Sequence, residues 1–413
     1  MSLIVQKFGG TSVANAERIR HVAKIITDTY HQGHDVVVVL SAQGDTTDDL
    51  IEKAKELNPN PSPREMDMLF ATGEQISISL CAMAIESMGC PVVSLTGWQV
   101  GVETDSSYGA ARIGKIRTHR IQHELNAKRI VIVAGFQGIN RYEDITTLGR
   151  GGSDTSAVAI AAAMSGDLCQ IYTDVDGVYT ADPRIVPDAI KLEEITYDEM
   201  LELASLGAQV LHNRSVEMAK RHSVNLEVLS SFSGNSGTKV KEVIMEKFHV
   251  NGVAKDTNVA RVALLHLEDH PGIAYKVFSL LAKHKVNVDI ILQSIGRDQT
   301  KDISFTVVQD DAELAEKVLL ENQKALGFEE VKISTDVAKV SIVGAGMIHN
   351  PGIAAQMFGA LSDAQININM ISTSEIKVSV LVAERDAVRA VQAVHESFFS
   401  GFGEHRKSMY GEE

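Results

Sequence analysis

Two hydrophobic patterns divide the chain. Up to about residue 232, apolar runs of strand length alternate with longer stretches whose apolar residues recur at helical spacing. Residues 36–40, 92–95, 130–134, 170–173 and 226–229 read as strands, as does the opening Leu3-Ile4-Val5. Helical stretches lie between them, for example 14–29, 65–88 and 153–165. Near-continuous apolar strands separated by amphipathic helices predict a mostly parallel sheet with helices on both faces, a three-layer αβα domain. Ser233-Gly234-Asn235-Ser236-Gly237 reads as a loop near its end.

The second pattern is a repeat. His270-Pro271-Gly272-Ile273-Ala274 returns 80 residues later as Asn350-Pro351-Gly352-Ile353-Ala354. The register holds through Phe278 and Phe358, Leu281 and Leu361, Asn287 and Asn367, Ser294 and Ser374. Each copy reads strand, Pro-Gly turn, helix, Asn-centred turn, strand, with further strands at 303–308 and 377–382 and helices at 312–325 and 385–398. That βαββαβ order predicts two small α+β units, each an antiparallel sheet with two helices on one face. The expected division is 1–245, 246–335 and 336–413.

Composition narrows the function. The chain has 413 residues, 44% hydrophobic and 23% charged, as in a soluble globular protein. Its 39 basic and 54 acidic residues give a net charge of −15, which argues against a nucleic-acid or anionic-membrane partner. No apolar run is expected to reach the ~18–20 residues that span a bilayer, and no signal-peptide pattern opens the chain. The expected location is the cytoplasm. Cys81, Cys90 and Cys169 show no paired or metal-binding spacing, and the histidines show no zinc pattern, so no metal ligand is assigned.

Three glycine-rich stretches carry the chemistry. In Lys7-Phe8-Gly9-Gly10-Thr11-Ser12-Val13, a strand runs through a glycine turn into a helix, an arrangement that presents backbone N–H groups to a phosphate. Gly9 and Gly10 permit close approach of the main chain, and Lys7 stands where its ammonium can reach a transferring phosphoryl group. Thr11 or Ser12 is expected to cap the helix. In Leu148-Gly149-Arg150-Gly151-Gly152-Ser153-Asp154-Thr155, the run from Ser153 suits a helix N-terminus, which favours anions. Arg150 offers a planar fork for a carboxylate. Asp154 can be a cap or a phosphate-handling group.

The third stretch, Thr173-Asp174-Val175-Asp176-Gly177-Val178-Tyr179 on to Asp182-Pro183-Arg184, follows a strand, where open α/β sheets bind nucleotides. A calcium loop is excluded because its twelfth residue from Asp174 is Ile185 rather than Glu. The runs from Ser41 to Asp48 and from Ala71 to Gln75 read as loop and cap chemistry, the latter opening or interrupting a helix.

Together these strings resemble the aspartokinases within the amino-acid kinase family, and the repeat resembles a tandem pair of ACT domains, the ligand-sensing module of amino-acid metabolism. The resemblance implies transfer of phosphate from ATP, with Mg²⁺ carried mainly on the phosphates, to the side-chain carboxylate of L-aspartate. It implies catalytic roles for Lys7 and Asp154. It places Gly9, Gly10, Ser41, Thr173, Asp174, Tyr179, Arg184 and Gln209 at ATP, and Thr47, Glu74, Arg150 and Ser153 at aspartate. Gln209 stands where relatives often carry Lys, while His212 reads as structural. An effector amino acid, lysine or threonine or both, is implied at Asp269, Asn287, Val288, Asp289 and Gln293 with Asn367, Ile368, Ser374 and Glu375. Oligomerisation through the ACT units is implied, with Met245 a possible internal start for a separate regulatory subunit. The alternatives are another amino-acid kinase, acting on glutamate, acetylglutamate, carbamate or UMP, or a silent amino-acid sensor.

Overall fold

A computed structural model describes residues 2–206, 210–242, 250–294 and 300–400, without the side chains at 348 and 349. Its contacts gather into two compact units. The first holds the chain up to Tyr179, Lys191–Ser205 and the described residues from 210 to 242. The second holds Thr180–Ile190, Leu206 and the described residues from 250 onward.

The first unit is built on an eight-stranded sheet. Its strands lie in the order Glu194–Thr196, Thr238–Lys241, Leu226–Ser230, Leu168–Thr173, Leu3–Phe8, Asp35–Leu40, Ile130–Ala134, Val92–Leu95. All neighbours are parallel except Leu226–Ser230 with Thr238–Lys241. Val36 to Leu40 are all fully buried, which is why this strand reads as an unbroken apolar run. Alternate residues serve opposite faces. Phe8, Val36, Val38, Leu40 and Ile132 pack with Ile19, Val22 and Ile26 of the helix Ala16–His31 and with Ile78 and Ile85 of the helix Pro63–Ser87. The helix Gly152–Met164 also packs on Leu3–Phe8, Asp35–Leu40 and Leu168–Thr173. The expected αβα layering is present.

Local details depart from expectation. Gly10–Val13 forms a turn of 3₁₀ helix, and the following helix is capped by Asn15, whose side chain accepts from the Arg18 N–H at 3.0 Å. Neither Thr11 nor Ser12 caps it, because Ser12 is turned inward to the Ser231 hydroxyl at 2.8 Å. Residues 71–75 neither open nor interrupt a helix. They lie inside Pro63–Ser87, which starts at the Ser62 cap with Pro63 at its first turn. This 25-residue helix is also long and apolar enough, by length and composition, to cross a bilayer, contrary to expectation. Its position explains that composition: Ala71, Cys81 and Ile85 are fully buried in the first unit, and it carries two buried carboxylates, Asp67 and Glu74. A smaller sheet, in the order Ile113–Ile116, Val102–Thr104, Gln137–Ile139, Ile145–Thr147, had no clear signature in the apolar pattern.

The second unit contains two four-stranded antiparallel sheets. One joins Val288–Gln293, Thr300–Val307, Ala260–Glu268 and Glu330–Ser334, with the helices Ile273–Lys283 and Ala312–Glu321. This is a complete βαββαβ unit. The other joins Gly252–Asp256, Val337–Val343, Lys377–Ala383 and Met370–Thr373, with the helices Ile353–Asp363 and Ala387–Phe399. Among the described residues the second repeat ends in a helix, without a closing strand of its own. Gly252–Asp256 supplies it, pairing antiparallel with Val337–Val343. Residues 252–256, expected in the unit 246–335, therefore belong to the sheet of its neighbour. Both Pro-Gly turns place glycine in the left-handed region, with φ of +91° at Gly272 and +104° at Gly352, each at the start of the helix that follows.

Thr180–Ile190 folds into this second unit. Ala181 and Val186 join the core that contains Val340, Ile342 and Phe399. The Thr180 carbonyl accepts from Val253 N–H at 2.7 Å, and its hydroxyl meets His395 Nε2 at 2.8 Å.

Candidate active site

The central strands deliver their ends to one edge of the large sheet. Lys7 lies between Val39 and Ile171 in parallel register. Lys7 Nζ is 2.6 Å from Asp154 Oδ1, and the two side chains are only 12% and 13% exposed. Asp154 occupies the first turn of Gly152–Met164, where the helix dipole favours its negative charge. The glycine turn beside Lys7 is tightly packed. A Cβ on Gly10 would stand 2.7 Å from the Ala42 carbonyl oxygen, so only glycine lets these loops meet. The Gly10 carbonyl accepts from Gly44 N–H at 3.1 Å, and the Phe8 carbonyl accepts from Ser41 N–H at 3.2 Å. Ser41 is thereby held beside the Lys7 turn.

Glu74 is 4% exposed. One carboxylate oxygen accepts from Ala42 N–H at 3.2 Å, and the other has no described hydrogen-bond partner. Burial pushes its pKa up to about 7. A buried carboxylate with an unsatisfied oxygen calls for a cationic partner. Thr47 is half-buried in the first turn of the helix Thr46–Leu57. Arg150 is exposed and makes no ion pair with a described residue. Ser153 is buried beside Gly135, at the end of Ile130–Ala134: a Cβ on Gly135 would lie 2.8 Å from the Ser153 hydroxyl.

At the third stretch, the Thr173 hydroxyl donates to Asp174 at 3.0 Å, and the Tyr179 hydroxyl donates to Asp176 at 2.7 Å. Burial, aided by that hydrogen bond, pushes the Tyr179 phenol up to about 12. Asp176, not singled out in the sequence, organises the turn: it also accepts from Asn235 at 3.2 Å and pairs with Lys191 at 3.5 Å. Thr173, Asp174 and Tyr179 thus share the first unit. Arg184 falls in the second unit and forms a fork with Asp182, with contacts of 3.0 and 2.8 Å. Gln209 lies outside the described residues, as does Met245. His212 Nδ1 accepts from Arg214 N–H at 3.4 Å as a helix cap, a structural role. Among the described residues no group of three or more His, Cys, Asp or Glu side chains is placed to hold a metal ion. Two carboxylates of the site, Asp154 and Asp174, are already engaged by Lys7 and Thr173.

In the second unit the two repeats present matching surfaces. Asn287 and Asn367 are exposed, Val288 and Ile368 half-buried, and Gln293, Ser374 and Glu375 exposed. The two predicted acids of the first repeat are already paired. Asp269 meets Lys301 at 2.8 Å, and Asp289 meets Lys339 at 2.6 Å. Lys339 is 8% exposed and also lies 3.5 Å from Asp256.

A mainly parallel sheet with a lysine–aspartate pair beside a glycine turn, followed by one complete βαββαβ unit and a second repeat closed by strand 252–256, defines an amino-acid kinase carrying paired ACT domains. The amino acid kinase family model matches residues 2–230, and the ACT domain model matches 266–323 and 340–398. The chain is 51% identical over 400 residues to an aspartokinase of Bacillus sp. (strain MGA3), covering 96% of this chain and 97% of that protein. It is 51% identical over 400 residues to aspartokinase 2 of Bacillus subtilis (strain 168), covering 96% and 98%. The crystal structure of E. coli aspartokinase III in complex with aspartate and ADP matches with a TM-score of 0.82 at 27% identity, covering 96% of this chain and all of that one. The chain belongs to the aspartokinase family.

Proposed function

We propose that the chain transfers the γ-phosphoryl group of ATP to the side-chain carboxylate of L-aspartate, giving 4-phospho-L-aspartate and ADP. The observation that carries this reading is the Lys7–Asp154 pair beside a glycine turn too tight for any side chain. The acceptor carboxylate is ionised at neutral pH and is itself the nucleophile, so no general base is needed. Its oxygen bonds to the γ-phosphorus as the bond to the ADP oxygen breaks. Such a transfer depends on positioning and charge neutralisation. Lys7, oriented by Asp154, stabilises the phosphoryl oxygens, and N–H groups of the Gly9-Gly10 turn face the phosphates. Ser41, Thr173, Asp174, Tyr179 and Gln209 hold the nucleotide. Glu74 receives the substrate ammonium, Arg150 its α-carboxylate, and Thr47 and Ser153 complete that site. Mg²⁺ would arrive on ATP, held by phosphates and water, and would supply charge neutralisation between them.

The same reading makes 1–245 the catalytic domain and assigns the ACT units, 246–335 and 336–413 with strand 252–256 exchanged, to feedback control by lysine, threonine or both in the cytoplasm. Edge strands Val288–Gln293 and Met370–Thr373 each lie outermost in their sheets, which suits pairing with a second chain or with a subunit started at Met245. The deciding experiment follows ADP release with aspartate, glutamate, acetylglutamate, carbamate and UMP as acceptors, traps any acyl phosphate with hydroxylamine, and adds lysine and threonine singly and together. Aspartyl hydroxamate that falls with an added amino acid supports both halves. A different acceptor, or none, overturns the catalytic half. Activity indifferent to both amino acids overturns the regulatory half alone.

A further inference from the structure

Asp67 lies in the interior of the helix Pro63–Ser87 and is completely buried. Its carboxylate accepts four hydrogen bonds, from the turn that joins Val102–Thr104 to Ile113–Ile116 and from the end of the strand Ile145–Thr147. Gly109 N–H donates to both oxygens at 3.0 Å. Thr147 donates its N–H at 2.9 Å and its hydroxyl at 2.6 Å. A buried carboxylate so fully satisfied by neighbouring donors fixes the segments it binds.

Those segments lead to Arg150, three residues beyond Thr147. Leu148 is clamped between Phe136, whose carbonyl accepts its N–H at 2.8 Å, and Arg214, which donates to its carbonyl at 2.8 Å. Gly149 has φ of +76°, and a Cβ there would stand 3.0 Å from the Gly109 carbonyl oxygen. Gly109 therefore rests on Asp67 through its N–H and against Gly149 through its carbonyl. The backbone immediately before Arg150 is held along two routes that begin at one carboxylate.

The same helix carries Glu74, seven residues on. Seven residues are two helical turns, which returns Glu74 to the face of Asp67, about 10 Å further along the axis. Glu74 binds Ala42 N–H, in the loop after Asp35–Leu40, and Asp67 binds Thr147 and Gly109. We propose that Asp67 is a positioning residue: it fixes Arg150 relative to Glu74, so that one rigid helix sets the spacing between the groups that receive the α-carboxylate and the ammonium of an amino-acid substrate. This rests on the functional reading above.

The test is steady-state kinetics on the full chain carrying Asp67→Asn, Arg150→Ala and both. The amide keeps the shape but turns an NH₂ toward N–H and O–H donors. The expected result is a KM for L-aspartate raised roughly 10- to 100-fold, with KM for ATP changed by less than about twofold. In the Arg150→Ala background the Asp67 change should add less than about twofold, because both act through one group. An aspartate KM within about twofold of the parent, or an effect that multiplies fully with Arg150→Ala, overturns the proposal. If Asp67→Asn fails to fold by circular dichroism, Thr147→Val decides, since it removes only one donor. A rise in aspartate KM of roughly threefold or more with ATP KM unchanged supports the proposal, and no rise overturns it. A parent chain that makes no acyl phosphate from aspartate overturns the functional reading and this proposal with it. An active parent with unaltered Asp67 kinetics overturns this proposal alone.

Discussion

Lys7 Nζ and Asp154 Oδ1 stand 2.6 Å apart, joining the end of a central strand to the first turn of a helix 147 residues later. The partner of an ammonium determines what removing it does. On the proposed mechanism, Lys7→Ala deletes the cation that would face the transferring group and leaves Asp154, a nearly buried carboxylate, unpaired where polyanionic ATP would bind. Turnover should fall by roughly 10³-fold or more. Asp154→Asn retains the lysine but releases its orientation, and should cost less, on the order of 10²-fold. Single-turnover measurements at saturating ATP and aspartate check both. A Lys7→Ala enzyme within about tenfold of the parent removes Lys7 from the mechanism.

Glu74 gives the site a pH signature. Its carboxyl is held up to about 7 by burial, above the ordinary 4.5. Below the raised value the free site holds a neutral acid, which attracts an ammonium poorly. KM for aspartate should therefore fall as pH rises from about 6 to 8, and Glu74→Gln should flatten that profile while raising KM. The stability effect has the opposite sign. The burial cost is absent below the unfolded pKa and fully present above the folded one, so this group lowers stability as pH rises from 4.5 through about 7. Bound aspartate offsets it, and the thermal shift with aspartate should grow over the same interval. A profile of KM that is level across pH 7 sinks the assignment of Glu74 to the ammonium.

Much of this was legible from residues alone, for reasons that can be named. The strand Asp35–Leu40 announced itself because both faces are covered and every position from Val36 is apolar. The two ACT repeats were legible because each Pro-Gly turn needs the same backbone geometry. Gly252–Asp256 was not assigned correctly, because pairing with Val337–Val343 leaves no mark in a five-residue strand. The small sheet escaped because its strands are three or four residues long and only partly buried. Asp67 was invisible as chemistry. Its one signal is an acid set among Met66, Met68, Leu69 and Phe70 in an apolar helix. The division of the third glycine-rich stretch between Tyr179 and Thr180 is a tertiary fact with no local signature.

The ACT units make a prediction about which acid meets an effector. Asp269 and Asp289 are already paired with the largely buried Lys301 and Lys339, so an effector ammonium would have to displace a lysine. Glu375 is exposed and forms no ion pair with a described residue. Glu375→Gln should weaken inhibition by lysine or threonine at least about fivefold, whereas Asp269→Asn should change it by less than about twofold. Removing a lysine's partner shows elsewhere: Asp289→Ala should lower the melting temperature by leaving Lys339 with only the more distant Asp256. Inhibition curves and thermal melts on the same preparations separate the two effects. Loss of inhibition in Asp269→Asn with unchanged response in Glu375→Gln reverses the assignment.

Gly10 offers the sharpest steric test. The space a side chain would fill is occupied by backbone, with the Ala42 and Gly44 carbonyl oxygens at 2.7 and 3.2 Å from the added Cβ. Neither is the far end of a flexible side chain, so Gly10→Ala must push the Lys7 turn away from the Ser41–Gly44 loop. The Gly44 N–H to Gly10 carbonyl bond would lengthen, and the N–H groups of the turn, proposed to meet the phosphates, would move with it. A shift of about 1 Å at such a site costs on the order of 10²-fold in kcat/KM for ATP. The effect on KM for aspartate should be smaller, because Glu74 and Arg150 sit on other elements. Gly33→Ala is the control: it has φ of +89° but open space around it, so it should lower stability by about 1 kcal/mol and leave kcat/KM unchanged. Equal kinetic losses in the two variants would mean that the tightness of the Gly10 turn plays no part in holding ATP.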